Sequence, residues 1–442
     1  MRDSASAIWN FQVAVSYFTA QRLLSMLPMA NWGPLRSAQE RCYEAGEAAK
    51  KNFRTNTMMF AAFQFADKAQ SDFARLAKDT MTLKVLTPEY MTRVASLVFQ
   101  GSTDAYESVG SDEARSLLRE QFQNTGDVIG YVNHPDAPDK LSADGTYPLE
   151  QMVDKAYLRG DYPALWLLEG LGERYAHACM GGRDVRGLLT SGKGAELPDK
   201  TQLMMHAGMG IAFAKDIVAG LTPWSTRTKV KDALRRFLDL VRQNSIAGYE
   251  GAAIESLGLV TRTWHGQLVT LISDELLEMD ADATEFFWHG AGRAMYFSPM
   301  YMLPGLSPFD AAEREPPDDT ARRNARAGVA WAFTIVNVRQ PKIAGYLVHH
   351  KSDRVSGNGA FTNGVHSTLV MAGDMVPGHR YVADYCKFQP EAGEAADAWD
   401  RHIGRNIGEK IDRYRRVLKT HHKLGEVFRY HDLEDLVADL DR

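Results

Sequence analysis

Two stretches of the chain follow one pattern, and this repeat constrains the fold more than any other feature of the sequence. The segment Thr201–Gly208 aligns with Thr284–Ala291, 83 positions later (284 − 201), and the alignment pairs His206 with His289. A repeated unit stacks on its neighbour because one copy cannot bury its apolar face alone. The sequence therefore predicts an internally duplicated helical core with a repeat of about 83 residues.

Further matches extend the repeat on both sides of the two histidines. They pair Gly210–Ala212 with Gly292–Ala294, Leu188–Thr190 with Leu268–Thr270, and Glu169–Gly172 with Glu255–Gly258. Their offsets are 82, 80 and 86 positions (292 − 210, 268 − 188 and 255 − 169), against 83 for the histidines. Another Glu-x-x-Gly sequence, at Glu107–Gly110, points to a degenerate earlier copy.

Helix-forming patterns cover almost the whole chain, and strand signals are few. The best strand candidate is Ile335-Val336, but Ala330, Trp331 and Ala332 precede it and favour a helix. We therefore expect a mostly α protein with a helical N-terminal extension and a helical C-terminal tail. The expected segments are the extension at 1–84, a degenerate first unit with a loop region at 85–148, the duplicated core at 149–308, a linker with a third helical unit at 309–390, and the tail at 391–442. Within the second segment, the loop region is expected from Asn124 to Pro148.

Charge and cysteine content argue against several classes of protein. The 51 Lys and Arg residues are outnumbered by 56 Asp and Glu residues, so no nucleic-acid partner is expected. The three cysteines lie far apart, which argues against a disulfide framework and a cysteine zinc site and fits a reducing compartment. No apolar run approaches the roughly 18 to 20 residues of a membrane-spanning helix. The N-terminus lacks the pattern of a secretory signal, so a cytoplasmic location is expected.

Glycine is prominent in the two repeated histidine segments, at Gly208, Gly210, Gly290 and Gly292. A glycine inside a helix costs about 1 kcal/mol relative to alanine, so the protein must gain something at these positions. One explanation is the close approach of two helices. The other is the wall of a cavity that holds a flat or elongated ligand. The sequence leaves both explanations open.

The paired histidines His206 and His289 also allow two interpretations. Near an internal pseudo-symmetry axis they could together hold a metal, a haem or a polar group of a ligand. Alternatively, each is a core histidine bonded to a backbone carbonyl. The chain has no Glu-x-x-His sequence, so a carboxylate-bridged di-iron site has little support. An iron or haem cofactor would therefore depend on the two histidines.

Three segments resemble a bacterial family of unknown function that recurs in enediyne biosynthesis gene clusters. They are Trp288–Ala294, which reads Trp-His-Gly-x-Gly-Arg-Ala, the turn Gly359–Gly364 and the stretch Ala372–His379. The resemblance covers roughly residues 90–390. It implies a pathway context, the metabolism of conjugated polyenes or enediyne polyketides, and it supplies no catalytic residues.

Together these features predict an accessory protein that binds or tailors a long conjugated polyene, or another apolar ligand, in a helical pocket. Aromatic side chains would stack on the ligand, and Arg293 would meet a carboxylate or carbonyl oxygen. The candidate ligand contacts are His206, Gly210, Phe213, Trp288, His289, Gly292, Arg293, Tyr296 and His379.

Two classes of function compete within this prediction. In the first, the protein is an enzyme or auxiliary enzyme in which His206, His289 and His379 are acid–base groups or metal ligands. In the second, it is a non-catalytic carrier or assembly protein. Residues 1–84 would then dock on a polyketide synthase, a membrane surface or a hydrophobic inclusion. The sequence does not choose between the two classes.

Overall fold

A computed structural model describes residues 2–25, 33–51, 136–297, 307–355 and 359–442, with separate positions between 112 and 132. These residues form α-helices, short 3₁₀ helices and loops, so the predicted mostly α fold is confirmed. None of the described helices is both long and apolar enough to cross a membrane. The helices are α1 Arg2–Ser25, α2 Gly33–Lys51, α3 Leu149–Leu158, α4 Asp161–Met180, α5 Gly192–Ala195, α6 Asp199–Val218, α7 Arg227–Asn244, α8 Glu250–Trp264, α9 Val269–Met279, α10 Ala281–Phe297, α11 Ser307–Arg314, α12 Asp319–Asn337, α13 Pro341–His350, α14 Ser352–Val355, α15 Ala360–Met375, α16 Arg380–Lys387, α17 Glu394–His402, α18 Gly408–Thr420 and α19 Leu433–Leu440, with 3₁₀ helices at Gly266–Leu268 and Leu424–Phe428.

Helices α1 and α2 belong to a compact unit made of residues 1–114 and 298–307. They pack against each other through Phe18, whose ring lies edge-on to Tyr43 at a centroid distance of 5.8 Å. A Cβ added at Gly46 would lie 2.9 Å from the Phe18 ring, so this contact favours a glycine. Both helices fall within the predicted N-terminal extension. The degenerate copy at 107–110 lies outside the described residues.

The second compact unit, residues 115–297 and 308–442, is built around a row of long helices. In this row α4, α6, α8, α10, α12 and α15 each pack along the next. The row also folds back on itself, because the Tyr162 hydroxyl of α4 donates a hydrogen bond to the carbonyl of Val336 in α12 at 2.8 Å. Most residues of these helices are buried on every side, which explains why their sequences show so little amphipathic pattern.

Glycines set the spacing between the helices of this row. A Cβ added at Gly208 in α6 would lie 1.9 Å from the carbonyl oxygen of Glu169 in α4. A Cβ added at Gly290 in α10 would lie 2.0 Å from the carbonyl oxygen of Glu255 in α8. No side chain fits in that space, so the backbones of these helices touch directly.

The next glycine along each helix contacts the following helix in the same way. An added Cβ at Gly210 would lie 2.3 Å from the oxygen of Ala253, and one at Gly292 would lie 2.0 Å from the oxygen of Ala325. Neighbouring backbone fills the space at all four repeated glycines. Of the two explanations for the glycines, close approach of helices is therefore the one that holds at these positions.

These contacts also fix the register of the repeat. Gly208 and Gly290 occupy equivalent positions, and they lie 82 residues apart (290 − 208). In that register His206 corresponds to Trp288, one residue before His289. Successive residues of an α-helix are rotated by about 100° about its axis, so the two histidines face different neighbours. The predicted equivalence of His206 and His289 is therefore wrong in the packing, and the duplication itself stays a prediction.

Two helices begin at side-chain N-caps, and one predicted loop is shorter than expected. The side chain of Thr226 accepts a hydrogen bond from Lys229 N at the start of α7, and that of Asp318 accepts one from Ala321 N at the start of α12. These are N-caps of the kind that the sequence favours. The predicted loop from 124 to 148 is shorter than expected, because the described residues between 124 and 132 are helical.

Candidate functional site

Four ionisable side chains from three helices form a buried cluster in the second unit. Arg293 of α10 donates hydrogen bonds to Glu169 of α4 and to Glu255 of α8, each at 2.9 Å. The Nδ1 atom of His289 lies 3.1 Å from the other carboxylate oxygen of Glu255. The two glutamates come from the repeated Glu-x-Leu-Gly sequences, so the motif that revealed the repeat also supplies this cluster. Arg293 therefore bonds to carboxylates of the protein itself, where the sequence predicted a carboxylate or carbonyl oxygen of a ligand.

Burial governs the ionisation of this cluster. Desolvation raises the pKa of Glu169, although Arg293 opposes the change. Desolvation likewise lowers the pKa of His289 and outweighs the attraction of Glu255. For Arg293 the balance is reversed, because the two carboxylates hold its pKa above the ordinary value despite its burial. One guanidinium therefore bonds to two buried carboxyl groups.

Aromatic rings close the buried cluster to solvent. The Arg293 guanidinium lies 4.5 Å from the ring centroid of Trp331 and 5.9 Å from that of Phe428. The imidazole of His289 meets both rings edge-on. No side chain of the cluster is more than 4% exposed. The cluster therefore joins α4, α8 and α10 and offers no surface on which a ligand could dock.

His206 lies in a separate environment. Its Nδ1 atom donates to the carbonyl of Gln202 at 2.6 Å, and its Nε2 atom accepts from the backbone N–H of Ile246 at 3.0 Å. Its ring stacks on Tyr249 at a centroid distance of 5.2 Å. Burial lowers the pKa of His206 to about 4. This agrees with the interpretation of His206 as a core histidine bonded to a backbone carbonyl.

The neutral form of His206 predicts a loss of stability in mild acid. His366 is buried in the same way, with a pKa of about 4. Below pH 6.5 these two histidines are protonated in the unfolded chain but stay neutral in the folded protein. The free energy of unfolding therefore falls as the pH drops from 6.5 towards 4. Each histidine contributes a slope of up to about 1.4 kcal/mol per pH unit. The measurement is the free energy of unfolding in urea between pH 4.5 and 7.

His206→Gln isolates one of the two contributions. Glutamine keeps a donor and an acceptor but cannot titrate. The slope of unfolding free energy against pH should therefore lose the contribution of nearly one bound proton. His421→Gln is the control for the substitution itself, because His421 is exposed to solvent. If the wild type and His206→Gln gave equal slopes, His206 would not be a neutral buried group.

The remaining predicted site residues are dispersed. Phe213 is fully buried, and the Trp288 indole N–H donates to the hydroxyl of Ser273 at 2.9 Å. The Tyr296 hydroxyl accepts a hydrogen bond from Asn337 at 3.3 Å. Of the nine predicted ligand contacts, the structure brings His289 and Arg293 together in the buried cluster.

His379 is the predicted contact that lies closest to solvent. It caps α16 by accepting a hydrogen bond from Tyr381 N, and its Nε2 atom lies 3.3 Å from the Asp161 carboxylate. It is partly exposed and is held by a different set of neighbours from those of His206 and His289. Among the described residues, no three His, Cys, Asp or Glu side chains gather as metal ligands. The three histidines therefore do not form a joint site.

A polar cleft of about 410 Å³ opens in the second unit, away from most of the predicted residues. Its walls come from the first turns of α10, the first turns of α12 and the segment between the 3₁₀ helix Leu424–Phe428 and α19. The lining residues are Asp282, Glu285, Thr320, Arg323, Asn324, Arg429, Tyr430, His431 and Asp432. We call this region the cleft.

Side-chain bonds hold the back wall of the cleft in place. The buried Asn324 accepts a hydrogen bond from Tyr430 N at 2.7 Å, and Asn363 donates to the carbonyl of His431 at 2.6 Å. The carboxylate of Asp432 caps α19 by accepting bonds from two backbone N–H groups. Three successive residues are thus fixed to three helices, which gives the cleft a defined geometry.

The two sides of the cleft carry opposite charge. Arg429 lies 2.7 Å from Glu426, 3.1 Å from Asp282 and 3.6 Å from Glu285, so three carboxylates share one guanidinium. Across the cleft, Arg323 is exposed and stacks over the ring of Tyr430 at 5.4 Å. No described carboxylate lies within ion-pair distance of Arg323. The α10 side therefore has more carboxyl groups than guanidinium groups, and the α12 side presents the guanidinium of Arg323.

Ionisation of the carboxyl groups beside the cleft follows their contacts. Desolvation raises the pKa of Glu285, although Arg429 and His431 oppose it. Glu426 is also partly desolvated, but its bonds to His431 and Arg429 lower its pKa to about 2. The pKa of Glu285 is thus raised, and that of Glu426 is lowered, relative to an ordinary glutamate. Such a separation of pKa values is frequent in sites of acid–base chemistry.

Comparison of the chain with protein-family models, with curated proteins and with solved structures gives no match. The resemblance to the enediyne-cluster family therefore stays a prediction.

Proposed function

We propose that the protein binds a small zwitterionic molecule of the amino-acid class in the cleft. The observation that carries the proposal is the opposite charge of the two sides. Asp282, which shares the Arg429 guanidinium with two other carboxyl groups, would hold an ammonium group, and Arg323 would hold a carboxylate. The volume of about 410 Å³ falls within the usual range of small-molecule sites.

Preorganisation supports binding at this place. The back wall from Tyr430 to Asp432 is already anchored, so a ligand would not have to order it. Binding to a fixed wall loses less conformational entropy than binding to a mobile loop. The Arg323 side chain already lies against the Tyr430 ring, which limits the freedom that it would lose.

The proposal predicts that free amino acids bind and that ligands lacking one charge do not. We expect one or more of the common amino acids to raise the melting temperature and to bind measurably in isothermal titration calorimetry. For L-alanine, the matched ligands are propionate and isopropylamine, each of which keeps one charge. Each should bind at least about ten-fold more weakly, because hydrogen bonds to charged groups contribute about 1.5 to 3 kcal/mol.

Arg323→Ala tests the position of the ligand. The variant should weaken the binding of the amino acid by about ten-fold or more. Arg322→Ala is the matched control, because the neighbouring Arg322 bonds to Glu313 and Asp319 and does not line the cleft. The proposal fails if no amino acid binds, or if Arg323→Ala binds it as tightly as the wild type does.

The function predicted from the resemblance remains a second proposal. In it the protein binds or tailors a conjugated polyene or another apolar molecule. The cleft would accept only the polar end of such a ligand, because charged and polar side chains line it. Docking through residues 1–84 also stays a prediction. Its described part is the α1–α2 pair, and binding of the full chain to lipid vesicles would test a membrane surface as the partner.

A further inference from the structure

One histidine of the cleft is oriented by a carboxylate. The Nε2 atom of His431 lies 2.7 Å from the Glu426 carboxylate, and the bond to Asn363 holds the His431 backbone. Nδ1 of His431 has no hydrogen-bond partner among the described residues. A carboxylate that accepts from one ring nitrogen fixes the tautomer and leaves the other nitrogen as a base.

The Glu426 carboxylate is itself held firmly. Arg429 donates to the same oxygen, Oε2, at 2.7 Å, and Lys423 lies 3.8 Å from Oε1. Glu426 is only 13% exposed, whereas His431 is 24% exposed and lines the cleft. The less exposed Glu426 carboxylate therefore lies behind the His431 imidazole, and the imidazole faces the space in which a ligand would lie.

We propose that the cleft hydrolyses an ester or amide of an amino acid, with His431 as general base and Glu285 as general acid. This inference rests on the proposed binding of an amino-acid-like molecule in the same cleft. Asp282 would hold the substrate ammonium group, and Arg323 would face the carbonyl oxygen. In the product, Arg323 would face the new carboxylate.

The proposed step balances with water as the second reactant. Nδ1 of His431 takes a proton from water as the water oxygen bonds to the carbonyl carbon, and the carbonyl π electrons move onto the oxygen beside Arg323. These electrons then re-form the carbonyl, and the bond to the leaving nitrogen or oxygen breaks. The leaving atom takes a proton from the Glu285 carboxyl group, and solvent carries the proton from His431 to Glu285. The new carboxylic acid then releases its proton to solvent, which leaves the carboxylate beside Arg323.

Burial supports the role of Glu285. Desolvation raises the pKa of its carboxyl group, as Asp282 and Glu426 also do, so that it keeps a proton to higher pH than an exposed glutamate. Arg429 and His431 act against this shift. The guanidinium of Arg429 also contacts Phe286, Asp282 and Glu426. Its positive charge is therefore shared, and Glu285 is only partly compensated by it.

The experiment uses the full chain and the p-nitroanilide of an amino acid that binds, or L-alanine p-nitroanilide if none does. Release of p-nitroaniline is followed by absorbance. We expect hydrolysis by the wild type and a loss of about 100-fold or more in His431→Gln. Calorimetry measures the binding of the free amino acid to His431→Gln separately, so that a lost rate can be assigned to the chemical step or to binding. Glu426→Gln should shift the acidic limb of the pH–rate profile, since Glu426 acts through His431.

The outcomes separate the two proposals. Binding of the amino acid without hydrolysis of its anilide would overturn the catalytic inference and leave the binding function intact. Equal hydrolysis by His431→Gln and the wild type would also overturn it. Failure of both binding and hydrolysis would overturn both proposals.

Discussion

Arg293→Met is expected to lower the free energy of unfolding by about 3 to 5 kcal/mol, because it leaves two buried carboxylates without their cation. Arg293 is the only described cation bonded to Glu169 and Glu255, and it bonds to both. Methionine has an apolar side chain of similar length, so the loss of charge dominates the effect. The measurement is denaturant unfolding followed by circular dichroism.

The size of this effect follows from burial. An ion pair on the surface contributes little, since water solvates either charge when the other is removed. Glu255 is fully buried and Glu169 is 3% exposed, so water cannot replace the guanidinium without opening the helix row. The carboxylates can instead take up protons, and the deficit of the variant should therefore grow as the pH rises.

A neutral version of the cluster provides the control. Arg293→Met combined with Glu169→Gln and Glu255→Gln removes all the charge that the guanidinium balanced. This triple variant should be more stable than Arg293→Met alone, because uncharged groups are much less costly to bury. If Arg293→Met alone fails to fold, recovery of soluble folded protein in the triple variant is the readout. A loss below about 1 kcal/mol in Arg293→Met would show that water reaches the cluster.

The sequence predicted the helical class, and the physical reason is local. Helix starts at Thr226 and Asp318 depend on capping side chains a few residues from the atoms they bond, and such signals can be read directly. The repeated glycines could also be found in the sequence. Whether they faced a ligand or another backbone depended on the partner helix, which no local pattern reports.

The cleft could not be predicted in the same way. Glu285, Arg323 and His431 come from elements far apart in the chain, and they meet only because α10 and α12 pack side by side under the C-terminal segment. The one local signal was the run from Arg429 to Asp432, a polar stretch between two helices. Loops held on a rigid scaffold often carry function, and this run is such a loop.

Gly258→Ala is expected to destabilise the protein by more than about 3 kcal/mol, beyond the usual effect of overpacking. The added Cβ would lie 1.8 Å from the carbonyl oxygen of Phe287 and 2.9 Å from the backbone nitrogen of Ala291. Both atoms are backbone, so no side-chain rotation relieves the clash, and α8 must move away from α10. That movement would also stretch the bond between Glu255 and Arg293, which joins the same two helices.

Two glycines of α15 give the matched comparison for this prediction. An added Cβ at Gly364 would lie 2.4 Å from the Ala327 oxygen, whereas at Gly373 its nearest neighbour would be Arg415 Cδ at 3.7 Å. Both variants gain the helix propensity of alanine, about 1 kcal/mol. Gly364→Ala should therefore lose stability, and Gly373→Ala should be neutral or more stable than the wild type. Equal stability of the two variants would mean that helix propensity, rather than the contact between backbones, selects glycine in this row.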